Sequence, residues 1–127
     1  MKILGIDYGR RKMGLSLATG KLAEPYDVIR IQEAGEAMAK IGKIVKEEGV
    51  ELIVVGISEG AMGAETMAFG KRLSGRLGLK VEFWDETLST HDSRALSIEA
   101  GLPRKKRRGL EDAFAAAVML QSYLERR

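Results

Sequence analysis

Three acids occupy positions that suit chemistry on a charged substrate. Asp7 closes an apolar stretch, within Gly5-Ile-Asp-Tyr-Gly9. Glu86 closes another, within Phe83-Trp-Asp-Glu86. Asp112 opens a long apolar segment, within Gly109-Leu-Glu-Asp-Ala-Phe-Ala-Ala116. Strand ends are where ligands bind in open α/β sheets, so Asp7 and Glu86 meet at one edge if their strands run parallel and close together. Ala115, Ala116 and Met119 follow Asp112 at helical spacing and share its face. The apolar content from Ala113 to Leu120 is unbroken, which makes that helix largely buried. Clustered carboxylates repel one another unless protonated or paired with cations. A donor set made only of oxygens selects hard ions such as Mg2+ or Mn2+. Two such ions, about 4 Å apart, can clamp the attacking water and the leaving oxygen of a phosphodiester. Each acid also has an ordinary account. Asp112 suits a helix N-terminus, Glu86 a cap, and Asp7 a turn. The residue pattern leaves both accounts open.

Positive charge is concentrated in one place. The chain carries 21 Lys and Arg against 18 Asp and Glu, a net charge of +3. Arg104, Lys105, Lys106, Arg107 and Arg108 form an unbroken run, and without these five the +3 becomes −2. Basicity this local points to a contact site for a polyanion rather than to a basic surface overall. The run stands just before Asp112, where it would hold phosphates beside the metal ions; a solvated loop is the plain alternative. Arg10, Arg11 and Lys12 follow Asp7 and would flank the same cleft. His91, the only histidine, titrates near neutral pH, but a lone histidine on a helix is read as surface. Trp84 is read as core, and Tyr8 is left undecided.

The elements that must position these residues follow from periodicity. Met1 to Asp7 reads as a buried strand, Gly9 to Lys12 as a turn, and Met13 to Ala18 as a second strand of an antiparallel hairpin. Tyr26 to Ile31 reads as a third strand, after a loop containing Pro25. From Ala34, helical spacing at Ala37, Met38, Ile41, Ile44 and Val45 predicts a helix capped by Gly49. Leu52 to Gly56 is a buried strand, Met62 to Leu77 a helix stopped by Gly78, and Val81 to Trp84 a strand. Leu88 to Ala100 is a helix, Gly101 to Arg108 a loop, and Leu110 to Arg127 the last helix. The order β-β-β-α-β-α-β-α-α implies an α/β fold, a mixed sheet with helices on its faces.

The 127 residues fit a single domain spanning 1–127. With 45% hydrophobic and 31% charged residues, the chain has an ordinary globular composition. It has no Cys, which excludes disulfides and thiolate metal sites and favours a cytoplasmic location. No apolar run approaches a membrane span, and the opening residues do not resemble a signal peptide.

The three acidic motifs, taken in order, resemble the YqgF family, also called the RuvX or pre-16S ribosomal RNA nuclease family. The resemblance extends over essentially the whole chain, including Ala23-Glu-Pro25, Val54-Val-Gly56 and Leu120-Gln-Ser-Tyr-Leu124. It implies an RNase H-like fold, a five-stranded mixed sheet with helices on both faces. It also implies a metal-dependent nuclease whose acidic triad is Asp7, Glu86 and Asp112. The implied role is 5′-end maturation of 16S rRNA in the cytoplasm, and an older proposal for the family is resolution of Holliday junctions. The expected partner is nucleic acid, with pre-rRNA ahead of branched DNA, acted on by a monomer or weak homodimer. The sequence departs from the family pattern at Thr87, where Arg is usual, at Lys12, also usually Arg, and over Ile57 to Gly63. Thr87 lacks the bidentate phosphate fork of an arginine. Two rival readings stay in view. Gly5-Ile-Asp-Tyr-Gly9 is also similar to the phosphate motif of actin-like and sugar-kinase ATPases, which need two lobes. A non-catalytic nucleic-acid binder would keep the acids for structure.

Overall fold

The computed structural model describes residues 1–33, 35–57, 61–85 and 110–127. Within them five strands form one sheet: β1 (Ile3–Asp7), β2 (Lys12–Ala18), β3 (Ala23–Arg30), β4 (Leu52–Ile57) and β5 (Lys80–Asp85). Three helices accompany them among the described residues: α1 (Glu36–Glu48), α2 (Ala61–Leu77) and α3 (Glu111–Arg126). The expected helix over Leu88 to Ala100 and the basic loop lie outside the described residues, as do Glu86, Thr87 and His91.

The strand order is β3-β2-β1-β4-β5. β1 pairs antiparallel with β2 and parallel with β4, which in turn pairs parallel with β5. The mixed sheet is thus the one the sequence implies. β1 and β5 run the same way, with β4 between them. β1 is central and covered on both sides, which is why Ile3, Leu4 and Ile6 form a continuous apolar run rather than an alternating one. α1 ends where the sequence says it should: Gly49 adopts a left-handed conformation (φ 68°), and its N–H donates to the Val45 carbonyl.

β3 departs from the expectation. It begins at Ala23, so Pro25 lies inside the strand and not in a preceding loop. β3 is the sheet edge, where a residue without an N–H is tolerated. The register also slips here: Leu15 faces Asp27 while Ser16 faces Pro25, leaving Tyr26 as the extra residue of a bulge.

Alternation divides the core into two layers. Leu4 and Ile6, with Met13, Leu15, Ile53 and Val55, pack beneath Ile41 of α1 and Phe69 and Leu73 of α2. Ile3, with Ala18, Leu52 and Val54, packs against Met119, Leu120 and Tyr123 of α3. Helices therefore cover both faces. Trp84 belongs to the second layer, with its ring edge-on to Tyr123 and its indole N–H donating to Ser122 Oγ at 3.2 Å. Two polar side chains pin α3 down. Buried Ser16 donates to the Ala116 carbonyl at 2.9 Å. Gln121 accepts from the Ala23 N–H at 2.8 Å and donates to the Lys21 carbonyl at 3.0 Å. Ala115, expected on the buried face, is exposed, because the contact stripe of α3 runs through Ala113, Ala116, Ala117 and Leu120. Among the described residues no helix is long and apolar enough to cross a membrane.

Candidate active site

The parallel strands β1, β4 and β5 end at one edge of the sheet, at Asp7, Ile57 and Asp85. At β1 the chain turns back into β2 on one side, while β4 lies on the other. A crevice between strands whose connections diverge is where open sheets bind ligands. Asp7 stands at that point. Its register partners are Gly14 on β2 and Gly56 on β4.

Alternation puts Asp7 on the same face as Ile3 and Gly5, the face that α3 covers. The first turn of α3 lies almost on the backbone of β2. A Cβ built on Gly14 would stand 1.8 Å from the Asp112 carbonyl oxygen and 2.2 Å from its carbonyl carbon. Only glycine permits that approach. Opposed Cα atoms in an antiparallel pair are about 5 Å apart, so the residue beneath Asp112 is the immediate neighbour of Asp7. The structure therefore brings Asp7 and the start of α3 together on one face. Gly14 follows the first acidic motif in the chain, but its role depends on a contact with a residue nearly a hundred positions away.

Asp112 is half-buried, and its Oδ2 lies 3.1 Å from Lys12 Nζ. The two side chains are 34% and 52% exposed, so solvent screens the pair and its contribution to stability is small. Its geometry matters more, because it shows a cation seated against this carboxylate. The other basic residues of the hairpin go elsewhere. Arg10 grips Glu65 of α2, with Nε at 3.0 and 3.1 Å from the two carboxylate oxygens and Nη2 at 2.9 Å from Oε1. Arg11 is exposed, and its carbonyl accepts from the Ile31 N–H at 2.7 Å. The triplet expected to flank one cleft is thus divided, with Lys12 beside Asp112 and Arg10 on the α2 side.

Tyr8, next to Asp7 in the chain, falls on the opposite face. Its ring lies 5.0 Å from that of Phe69, and its hydroxyl donates to Glu65 Oε2 at 2.6 Å. Burial and the Glu65 carboxylate push the Tyr8 hydroxyl up to about 12. The Arg10 guanidinium, and after it the Tyr8 hydroxyl, hold Glu65 below the usual carboxylate range. The Tyr8–Glu65–Arg10 set was missed in the sequence because Glu65 lies outside every motif.

Among the described residues no three acidic or histidine side chains converge on a metal-sized site. Glu86 and the run Arg104, Lys105, Lys106, Arg107 and Arg108 lie outside those residues. Glu86 follows Asp85, the last residue of β5.

Comparison with known proteins extends these observations. A family model for RuvX, described as Holliday junction resolvase, matches residues 1–126. A relative from Pelotomaculum thermopropionicum is 39% identical over 134 residues, covering 98% of this chain and 87% of its own length. One from Symbiobacterium thermophilum is 39% identical over 135 residues, covering 100% and 94%. Both carry the provisional name pre-16S rRNA nuclease. Among solved structures, RuvC of Thermus thermophilus in complex with a Holliday junction substrate superposes with a TM-score of 0.68 at 18% identity, covering 98% of this chain and 95% of that one. Fowlpox virus resolvase with Holliday junction DNA gives 0.64 at 11% identity, covering 98% and 97%. At such low identity these two establish the fold, which is RNase H-like. The family match runs nearly end to end, and the acidic edge of the sheet lies within it: this chain belongs to the RuvX family.

Proposed function

We propose that this chain is a metal-dependent nuclease that hydrolyses phosphodiester bonds of precursor rRNA, in 5′-end maturation of 16S rRNA. Asp7, Glu86 and Asp112 are its acidic triad. The observation that carries the reading is the contact of Asp112 on Gly14, the register partner of Asp7. Two acids far apart in sequence share one face at the end of the central strand, and the Lys12 side chain pairs with one of them, Asp112. The names of the relatives supply the substrate class.

The side chains present suit a hard divalent cation. Asp7 and Asp112 offer only oxygen donors, and Lys12 shows that the Asp112 carboxylate accepts a cation at contact distance. Asp7 and Asp112 would hold Mg2+ or Mn2+, with Glu86 completing the set from the residue after β5. Two ions, when bound, supply charge neutralisation at the phosphate and an activated water. The protein's own part is placement. The buried Ser16 and Gln121 contacts fix α3, and hence Asp112, against β2 and β3. Lys12, half-exposed on a flexible stem, would pass from Asp112 to a phosphate oxygen as substrate arrives. Arg104, Lys105, Lys106, Arg107 and Arg108, just before Asp112 in the chain, would hold the flanking backbone. We read residues 1–127 as one nuclease domain.

The family description favours a second substrate, the four-way DNA junction. Cleavage assays on precursor rRNA fragments, four-way junctions and single strands, each with Mg2+ or Mn2+, separate the two. Asp7→Asn, Glu86→Gln and Asp112→Asn should each lower cleavage by more than the roughly 10–100-fold that follows loss of a ligand's supporting partner. Melting temperature without metal should hold or rise, because carboxylate repulsion is relieved. Chelation should abolish cleavage. Variants that cleave at the wild-type rate would remove the triad assignment, and a large fall in melting temperature would make the acids structural.

A further inference from the structure

On the face opposite the acids, a cleft of about 440 Å3 opens between the β1–β2 hairpin, the start of α1 and the flank of α2. Its floor is apolar: Met13, Ala37 and Phe69 are buried there, beside the partly covered Ile31 and Met38. Its rim is cationic. Arg10, Arg72 and Arg76 line it, against the single lining carboxylate of Glu33. Arg10 is engaged by Glu65. Arg72 and Arg76, one turn apart on α2 and both exposed, have no acid partner among the described residues. Like charges at this spacing oppose helix stability slightly, so nothing in the packing of α2 explains them.

The volume lies within the range of small-ligand pockets. An apolar floor with aromatic edges suits a planar ring, since bases stack on such side chains with little sequence preference. Guanidinium forks one turn apart suit the oxygens of a phosphate. The ligand chemistry that satisfies both is a nucleotide. The position agrees. Tyr8 lines the cleft and Asp7 lies on the other face, so the two sites straddle the end of β1, separated by one residue.

We propose that the cleft between the β1–β2 hairpin, α1 and α2 seats one nucleotide unit, with its base on the apolar floor and its phosphate on Arg72 and Arg76. As a subsite for a substrate strand, this rests on the nuclease reading; as a nucleotide seat, it does not depend on cleavage.

The test is binding of a fluorescein-labelled eight-residue RNA to the full chain in chelator, followed by anisotropy across a salt titration. Arg72→Ala/Arg76→Ala should weaken binding about tenfold. It should also lower the salt slope by about 1.4, two single-strand phosphate contacts at roughly 0.7 each. Arg72→Gln/Arg76→Gln should behave the same, and both variants should melt like the wild type. Lys43→Ala, an exposed lysine of α1 that does not line the cleft, should bind as the wild type does. An abasic strand of equal length should bind the wild type more weakly than the RNA. Adenosine 5′-monophosphate that competes with the RNA on the wild type but not on the double variant would extend the seat to free nucleotides. Loss of RNA binding in the variant without such competition would confine it to strands. An unchanged affinity and salt slope in both double variants would overturn the proposal, and an abasic strand that binds equally well would overturn the base seat. If the wild type binds through the two arginines yet cleaves nothing with Mg2+ or Mn2+, the nuclease reading fails and the nucleotide seat remains.

Discussion

The two faces of the sheet are built on different principles. At the start of α3 the contact is backbone on backbone. Gly14 on β2 meets the Asp112 carbonyl, and Ala113, Ala116 and Ala117 present small side chains in return. Under α1 and α2 the contact is between large side chains, Leu4, Ile6, Met13 and Leu15 against Ile41, Phe69 and Leu73. The first arrangement fixes a helix start closely, because hard backbone atoms leave no slack. The second fills volume and leaves a cleft at its margin. Asp7 and Asp112 belong to the face with fixed spacing, and the tyrosine, the arginine pair and the apolar floor belong to the other.

If that contrast is real, the α3 face should fail on addition of atoms and the other face on their removal. The largest effect is expected from Gly14→Ala. Its methyl group would fall on the Asp112 carbonyl, a backbone atom that cannot rotate away. We expect a loss on the order of 4 kcal/mol, beyond ordinary overpacking because backbone must move. Calorimetry should show a melting temperature lower by roughly 15 °C, and cleavage should vanish along with the placement of Asp112. A Gly14→Ala protein that melts and cleaves like the wild type would break the comparison.

Leu73→Ala probes the opposite face. Leu73 is fully buried, and deleting its side chain leaves a cavity costing about 3 kcal/mol in denaturant unfolding. The folded fraction should still cleave, since no backbone on the acids' side is displaced. Loss of cleavage in the folded protein would mean that the two layers are coupled.

The smallest effect concerns pH. The unfolded chain releases a tyrosine proton near 10, whereas folded Tyr8 holds its proton to about 12. Between those values the folded state binds more protons than the unfolded one, so stability falls as pH rises. Burial also raises Tyr26 and Tyr123. Tyr8→Phe should therefore flatten the fall in melting temperature from pH 10 to 12 without erasing it. An unchanged slope would show that the burial of Tyr8 and its contact with Glu65 do not hold its proton in solution.

Much of this architecture was legible in the chain. The apolar run ending at Asp7, the β-branched run at Leu52 and the glycine at 49 encode local structure directly, and their elements formed within a residue or two of expectation. Pro25 misled because whether a strand tolerates proline depends on its being at an edge, which is a property of the whole sheet. Ala115 misled because the helical repeat fixes a face only approximately, and the sheet decides where its centre lies. The division of Arg10 from Lys12 could not be read from adjacency, since the turn sends neighbouring side chains to opposite sides. Arg72 and Arg76 were visible as two cations at helical spacing with no acid one turn away, a signal that the motifs overshadowed.

The pinning of α3 also has a consequence in time. Ser16 and Ala116 are 100 residues apart in the chain, and Ala23 and Gln121 are 98 apart. A growing polypeptide can close the β1–β2 hairpin early, because that pairing is local. It cannot bring Asp112 to Asp7 until the segment bearing α3 has been made and has docked across that distance. Contacts of such long span form late and slowly. Until then the half-built sheet lacks Asp112 and keeps an uncovered face, so hydrolytic competence, on the triad reading, arrives with the last step of folding, and an incomplete chain emerging from the ribosome is held inactive.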